Sequence, residues 1–268
     1  MGVKRRKASD APKLSIDAWS WSRLSAYEKC PQFTKFNHIL KMPTSPSPAM
    51  ERGKRIHKQA ELYMKGEAEL PATAIWKPWR NDMQAMRNGG YEAEKDFAFT
   101  VKWEPCSWFG PTAWARMRVD VISPFKGGVI DVVDYKTGQL PRDDSHKEQA
   151  ELYAIAGWFY TKKKAEEIAM VYLYLDQVDA IQHDFTGADM PALVDKWEKR
   201  AAPMLEDEEF KPTPSRASCN AYGGCDFAAN KGGQCQYTTA GVLKAGSKKG
   251  DVPELPKAKP SKWNRGGG

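Results

Sequence analysis

Three stretches, RVDVIS (118–123), VIDVVDYKTG (129–138) and EQAELYA (148–154), decide the fold of this 268-residue chain. In the first, Val119 and Val121 alternate with Arg118 and Asp120, the two-residue period of a half-buried strand. The second is more continuously apolar, as a central strand is. Ahead of it, Gly127-Gly128 allows the backbone to reverse, so the two strands are expected to form a hairpin. Within the second strand Asp134 and Lys136 share one face, while Val133 and Tyr135 point into the other layer. Asp120 is expected on the polar face of its strand with Arg116 and Arg118, so that the hairpin brings both carboxylates to one edge. In the third stretch Gln149 and Tyr153 stand four residues apart, on one face of a helix.

The surrounding chain extends this to a mixed sheet flanked by helices. Phe97, Phe99, Val101 and Trp103 alternate with polar or small residues and predict a strand ahead of the hairpin. A helix is expected at about 145–163, strands at 168–176 and 178–185, and a further helix at 188–206. Toward the start, residues 19–40 read as a helix broken near Cys30-Pro31, because proline lacks the N–H that a helix interior needs. MPTSPSP (42–48) reads as a loop. From Met50 to Lys65, Ile56, Ala60 and Tyr63 recur at helical spacing, with His57 and Glu61 on the neighbouring stripe.

A 41% hydrophobic content suffices for a sizeable core. The net charge of +7 resides at the ends: residues 1–13 carry +4 and residues 241–268 carry +5, leaving −2 for 14–240. The ends are too polar to bury themselves and read as a disordered basic N-terminal arm and C-terminal tail, whose lysines and arginines either solubilise the chain or grip phosphate. No apolar run is long enough to span a membrane, and none follows the basic start as in a secretory signal. A cytoplasmic location is therefore expected, where five cysteines, an odd number, point to metal binding or free thiols and not to a disulfide framework.

Oxygen ligands such as Asp120 and Asp134 select hard divalent cations, Mg2+ or Mn2+. A neighbouring amine such as Lys136 can position water or offset charge when a phosphodiester is cut. The ordered set resembles the PD-(D/E)xK nuclease superfamily over most of residues 20–237, and in detail its RecB-type exonuclease branch, which includes CRISPR-associated adaptation nucleases and many phage proteins. The resemblance implies a restriction-endonuclease-like α/β fold occupying 14–240. It makes Asp120 and Asp134 the acidic ligands, Lys136 the catalytic lysine and the Tyr135 carbonyl a further metal ligand. Gly53-x-x-x-His57 resembles the branch's helix whose imidazole binds or supports the metal. Gln149-x-x-x-Tyr153 resembles the helix that holds DNA near the site. Glu94 matches the acid ahead of the first strand, with Glu92 competing for the role. Arg118 stands where the family often has glycine, two residues before the aspartate, and is a candidate DNA contact.

Cys219, Cys225 and Cys235 follow with C-x5-C-x9-C spacing, and paired glycines between them let thiolates converge on iron-sulfur or tetrahedral zinc. SRLSAYEKCPQF resembles the N-terminal segment of the branch's iron-sulfur subgroup, which implies a 4Fe-4S cluster on Cys30, Cys219, Cys225 and Cys235, with zinc as the alternative. Residues 210–240 would then form a cysteine-stapled appendage closing onto Cys30. Cys106, beside Trp103 and Trp108, is expected to be a buried free thiol.

These readings converge on a metal-dependent deoxyribonuclease, an exonuclease acting on DNA ends or single strands in recombination, repair or replication. Arg116, Arg118, Lys126, Trp108 and Trp114 are expected to contribute phosphate and stacking contacts. The alternatives are a structure-specific endonuclease, as in CRISPR adaptation, and a non-catalytic DNA-binding adaptor. With no helicase or polymerase motif in the chain, unwinding would come from a helicase or recombination partner. No membrane partner is expected, and the setting would be a prokaryotic or phage-infected cell.

Overall fold

The computed structural model describes residues 15–141, 146–220 and 224–237, without the side chains of residues 216 and 217. The basic arms expected at 1–13 and 241–268 lie outside the described residues. In chain order the elements are α1 (Trp21–Lys29), α2 (Pro31–Thr34), a π-helical turn (Lys35–Ile39), α3 (Pro48–Met64), a 3-10 turn (Lys77–Trp79), α4 (Arg80–Asn88), β1 (Glu92–Phe99), β2 (Ala115–Ile122), β3 (Val129–Lys136), α5 (Lys147–Tyr160), β4 (Glu167–Tyr174), β5 (Asp179–Thr186), α6 (Met190–Glu206), α7 (Arg216–Asn220) and a 3-10 turn (Ala229–Lys231). Pro46–Arg200 forms one compact unit, and the described residues up to Ser45 and from Ala201 form a second.

The first unit is built on a five-stranded sheet in the order β1-β2-β3-β4-β5. All neighbours are antiparallel except β3 and β4, which run parallel and are joined through α5. The expected hairpin is present. Val121 pairs with Val133 and Ile122 with Val132, and Gly127 and Gly128 turn the chain at φ +60° and +83°, which glycine adopts without a Cβ clash. Beneath one face α3 and α4 supply Ile56, Ala60, Met83 and Met86 to a core that also holds Trp76, Trp79, Val121, Val133, Tyr135, Val171 and Leu173. Helix α4 has no counterpart in the sequence reading. Its nine residues carry two buried methionines in an otherwise polar run, too short a stretch to show a period.

Helix α5 covers the opposite face. A Cβ on Gly157 would lie 3.3 Å from the Val132 side chain, so the helix backbone sits hard against β3. Helix α3 starts where its sequence provides a start: Ser47 accepts a hydrogen bond from the Met50 N–H, and Pro48 occupies the first turn, where no N–H is needed.

Strand β1 changes face midway. Tyr91 and Ala93 pack against the α3–α4 core. Phe97 and Phe99, also odd-numbered, pack against Tyr160 and Phe159 of α5, the first pair edge-on and the second tilted. Between them Glu94 adopts φ +52°, the left-handed region that L residues rarely enter. That single residue reverses the alternation while the pairing register with β2 stays constant on either side.

In the second unit α1 ends at Lys29, Cys30 is extended, and Pro31 opens the next helix, as the Cys-Pro break predicts. The expected cysteine-stapled appendage is corrected here. Among the described residues all five cysteines are free thiols, and none joins a group of three potential ligands closing on one ion. The first and last described segments of this unit are joined by other contacts. Phe227 packs between Phe33 and Phe36, with ring centroids 5.3 and 5.2 Å away. Tyr27 lies edge-on to Phe210 and donates to Asp207 at 2.9 Å, and Thr213 donates to the Lys29 carbonyl at 3.0 Å.

Candidate metal and catalytic site

Three elements of the first unit converge on one cluster. His57 comes from α3, Glu94 from the left-handed position of β1 and Asp120 from β2, and their donor atoms all lie within 4.8 Å of one another. His57 Nδ1 is 3.1 Å from Asp120 Oδ2, which also accepts the Tyr135 N–H at 2.8 Å. The Asp120 side chain thus spans from β2 to the β3 backbone and takes over a ladder hydrogen bond. Gly53 of α3 faces the chain just beyond β3: a Cβ there would make ordinary contact with Thr137 Oγ1, at 3.5 Å.

Beside this triad lies a second chain of contacts. Lys136 Nζ is 2.7 Å from Asp134 Oδ2 and donates to Gln149 Oε1 at 3.0 Å; Gln149 Nε2 in turn donates to the Tyr153 hydroxyl at 2.8 Å. The ammonium also lies 5.1 Å from the Tyr172 ring centroid. Asp134 is only 3% exposed, and its Oδ2, though ion-paired with Lys136, has no partner at hydrogen-bond geometry. Because β3 is the central strand, the pair is sunk beneath α5 and does not stand at a sheet edge as the hairpin pattern suggested.

The electrostatics follow from this crowding of acids. Burial pushes the Asp134 carboxyl up to about 6; the Lys136 ammonium moderates the shift and the Asp120 charge adds to it. Glu94 is raised by burial and by Asp120. At His57 burial opposes the charged ring, but the hydrogen bond and charge of Asp120 outweigh it, and the imidazole is raised. Burial also lifts Tyr153 and Tyr172 far above the usual phenol range, with Asp134 adding to both, so they stay neutral. An imidazole and two carboxylates, one of them driven toward protonation by the other, fit a divalent cation, which would relieve that repulsion.

The sequence-predicted residues distribute as follows. His57, Glu94 and Asp120 come together; Asp134, Lys136, Gln149 and Tyr153 form the adjoining chain. Of the two competing acids Glu94 is the one in the cluster, since Glu92 pairs with Lys95 and accepts from the Tyr160 hydroxyl. Tyr153 is buried, and its hydroxyl faces Gln149. Arg118 is bound bidentately by Asp96 at 2.5 and 2.9 Å, lies 3.7 Å from Glu94 and stacks on Trp108.

The 4Fe-4S cluster expected on Cys30, Cys219, Cys225 and Cys235, and its zinc alternative, are corrected. These four cysteines border one largely apolar cavity with Phe33, Phe36 and Phe227. The only described ligand group is the His57 triad, which contains no cysteine. Burial raises the Cys225 thiol, favouring its protonated form, and the Cys235 thiol donates to Gln32 Oε1 at 3.1 Å. Cys106 is half-buried.

Two features escaped the sequence reading. Tyr172 and Tyr174 pair across from Asp134 and Lys136 in the parallel β3–β4 register, and the Y-L-Y alternation was their only signal. Asp176 binds Arg52 bidentately at 2.6 and 2.8 Å and accepts the Gly138 N–H at 2.6 Å, tying the start of α3 to the turn after Lys136. No local pattern marks that contact.

No curated protein matches the chain. A solved structure described as "Crystal structure of SSO0001" is similar, at 16% identity and a TM-score of 0.40, over 72% of this chain and 79% of the other. The PD-(D/E)XK nuclease superfamily model matches residues 18–230, most of the chain, and the chain belongs to this superfamily.

Proposed function

We propose that the protein is a metal-dependent deoxyribonuclease of the RecB-type exonuclease branch that hydrolyses phosphodiester bonds at DNA ends. The observation that carries the reading is the junction of two chains of contacts, His57–Glu94–Asp120 and Asp134–Lys136–Gln149–Tyr153, along neighbouring strands. His57, Glu94 and Asp120 would hold Mg2+ or Mn2+, with Asp134 and the Tyr135 carbonyl as further ligands. When bound, the cation supplies charge neutralisation for the phosphoryl oxygens and acidifies water.

Lys136 is the residue placed to act on the reacting water or on the phosphoryl charge. Its ammonium is fixed from two sides, by the Asp134 carboxylate and by the Gln149 amide oxygen. Gln149 is oriented by the Tyr153 hydroxyl, so Tyr153 is a positioning residue. Such preorganisation spares the site from reordering dipoles as charge develops in the transition state. The acids repel each other without a cation, which makes the site selective for a bound metal.

The test is incubation with end-labelled linear DNA and covalently closed single-stranded circles, with Mg2+, with Mn2+ and with EDTA. Metal-dependent loss of linear DNA with circles intact is the expected result. Cutting of circles would make the enzyme an endonuclease, and no cutting under any condition would leave a DNA-binding adaptor.

A further inference from the structure

We propose that the outer face of the β1–β2 hairpin is a stacking platform for a nucleic-acid single strand leading to the metal site, with Phe109 as its exposed base-contacting ring. The choice of nucleic acid as ligand rests on the nuclease reading; the platform rests on its own geometry.

Phe109 is 88% exposed, the most exposed large apolar side chain among the described residues. Its backbone is fixed, since the Gly110 N–H bonds to the Ser107 carbonyl at 2.9 Å and the Trp114 N–H to the Phe99 carbonyl at 2.7 Å. A phenyl ring held in water by this turn leaves both of its faces open to a stacking base. Next to it the half-buried Trp108 is flanked by two guanidinium groups, Arg116 at 5.8 Å and Arg118 at 5.2 Å from its ring centroid.

Arg118 then joins the platform to the site through its 3.7 Å approach to Glu94. Arg116, Arg118 and Asp120 occupy alternate positions of β2, so the path from Arg116 to the metal triad is about 13 Å along the strand. Arg118 already faces two carboxylates, Asp96 and Glu94, and the buried Arg116 Nε has no hydrogen-bond partner. Cationic planes beside aromatic rings are the combination that grips a strand's phosphates and bases together. A single strand fits and a duplex does not, because only unpaired bases offer a free face to Phe109.

The test is fluorescence anisotropy in EDTA with labelled dT20, rU20 and a 20-bp duplex, for wild type, Phe109→Ala and Phe109→Trp. Stacking is worth about 1–3 kcal/mol per base, so Phe109→Ala is expected to weaken dT20 or rU20 binding roughly 5- to 150-fold. Phe109→Trp should restore it, and duplex affinity should not change; the dT20 to rU20 ratio tells DNA from RNA. Unchanged single-strand binding by Phe109→Ala, or an equal loss on duplex, overturns the platform. So does a sedimenting dimer that Phe109→Ala dissolves, which would make the ring a contact between copies. In each case Mn2+-dependent cleavage by the wild type would leave the nuclease reading standing. Phe109-dependent strand binding by a wild type that never cleaves would sink that reading and keep the platform.

Discussion

Replacing Asp134 with asparagine should destroy cleavage and yet make the metal-free protein more stable at pH 8. The carboxyl is 3% exposed, and burial raises it from 3.8 to about 6 despite the lysine beside it. Between those values the native state keeps a proton that the unfolded chain has released, so stability falls as pH rises through the window and stays reduced above it. The full cost is up to about 3 kcal/mol at pH 8 and about half of that at pH 5. Asparagine has the shape of the neutral acid and removes the cost. Urea unfolding in EDTA should show the variant ahead by up to that amount at pH 8, with the gain about halved at pH 5. Adding Mn2+ should reverse the order, because a ligand that binds only the folded state stabilises it by mass action and the variant lacks a carboxylate to bind with. A variant no more stable than wild type at pH 8, or a gain that does not shrink toward pH 5, would refute the account of Asp134 as a buried anion held ready for a cation.

Lys136→Met is expected to cut the cleavage rate roughly 100- to 1,000-fold while Mn2+ still raises the melting temperature, since the amine serves the reaction and not the ion. Loss of the Mn2+ response would move Lys136 into the binding set. Tyr153→Phe removes the acceptor that orients Gln149. It should lower kcat roughly 10- to 100-fold with KM little changed, the behaviour of a group that positions another. A raised KM with kcat intact would instead favour direct contact with DNA. Gly157→Val forces a branched side chain against Val132, Ile130 and Ile168. The expected destabilisation is about 1–3 kcal/mol by urea melting, and an unchanged midpoint would mean that α5 can shift off the sheet.

Where residues act through local period, the sequence was readable. The V-I-D-V-V-D-Y-K run declares a central strand, and the side chains follow its alternation: Val133 and Tyr135 enter the α3–α4 core, and Asp134 and Lys136 face α5. The Gly127-Gly128 turn and the Cys30-Pro31 break were legible for the same reason, since both follow from the backbone chemistry of two adjacent residues. Two other features depend on what lies across the fold. Helix α4 is defined by what Met83 and Met86 meet. The Arg52–Asp176–Gly138 contact joins residues far apart in sequence, and no window of sequence contains it. The cysteine spacing misled because glycine-rich segments permit thiols to converge without requiring it, and aromatic packing around Phe227 already joins those segments.

Glu94 carries the lesson for the site itself. By strict alternation Glu92 and Glu94 lie on one face, and sequence cannot choose between them. The left-handed φ at Glu94 separates them: Glu92 remains on the side of Tyr160, and Glu94 turns to His57 and Asp120. A non-glycine residue held there costs about 1–2 kcal/mol, and glycine would relieve it. A glutamate at a strained position of a strand, opposite an aspartate that repels it, gives up stability twice at one point. Both costs would be offset by a cation held between the two carboxylates, so the strain and the repulsion argue independently for the same metal site.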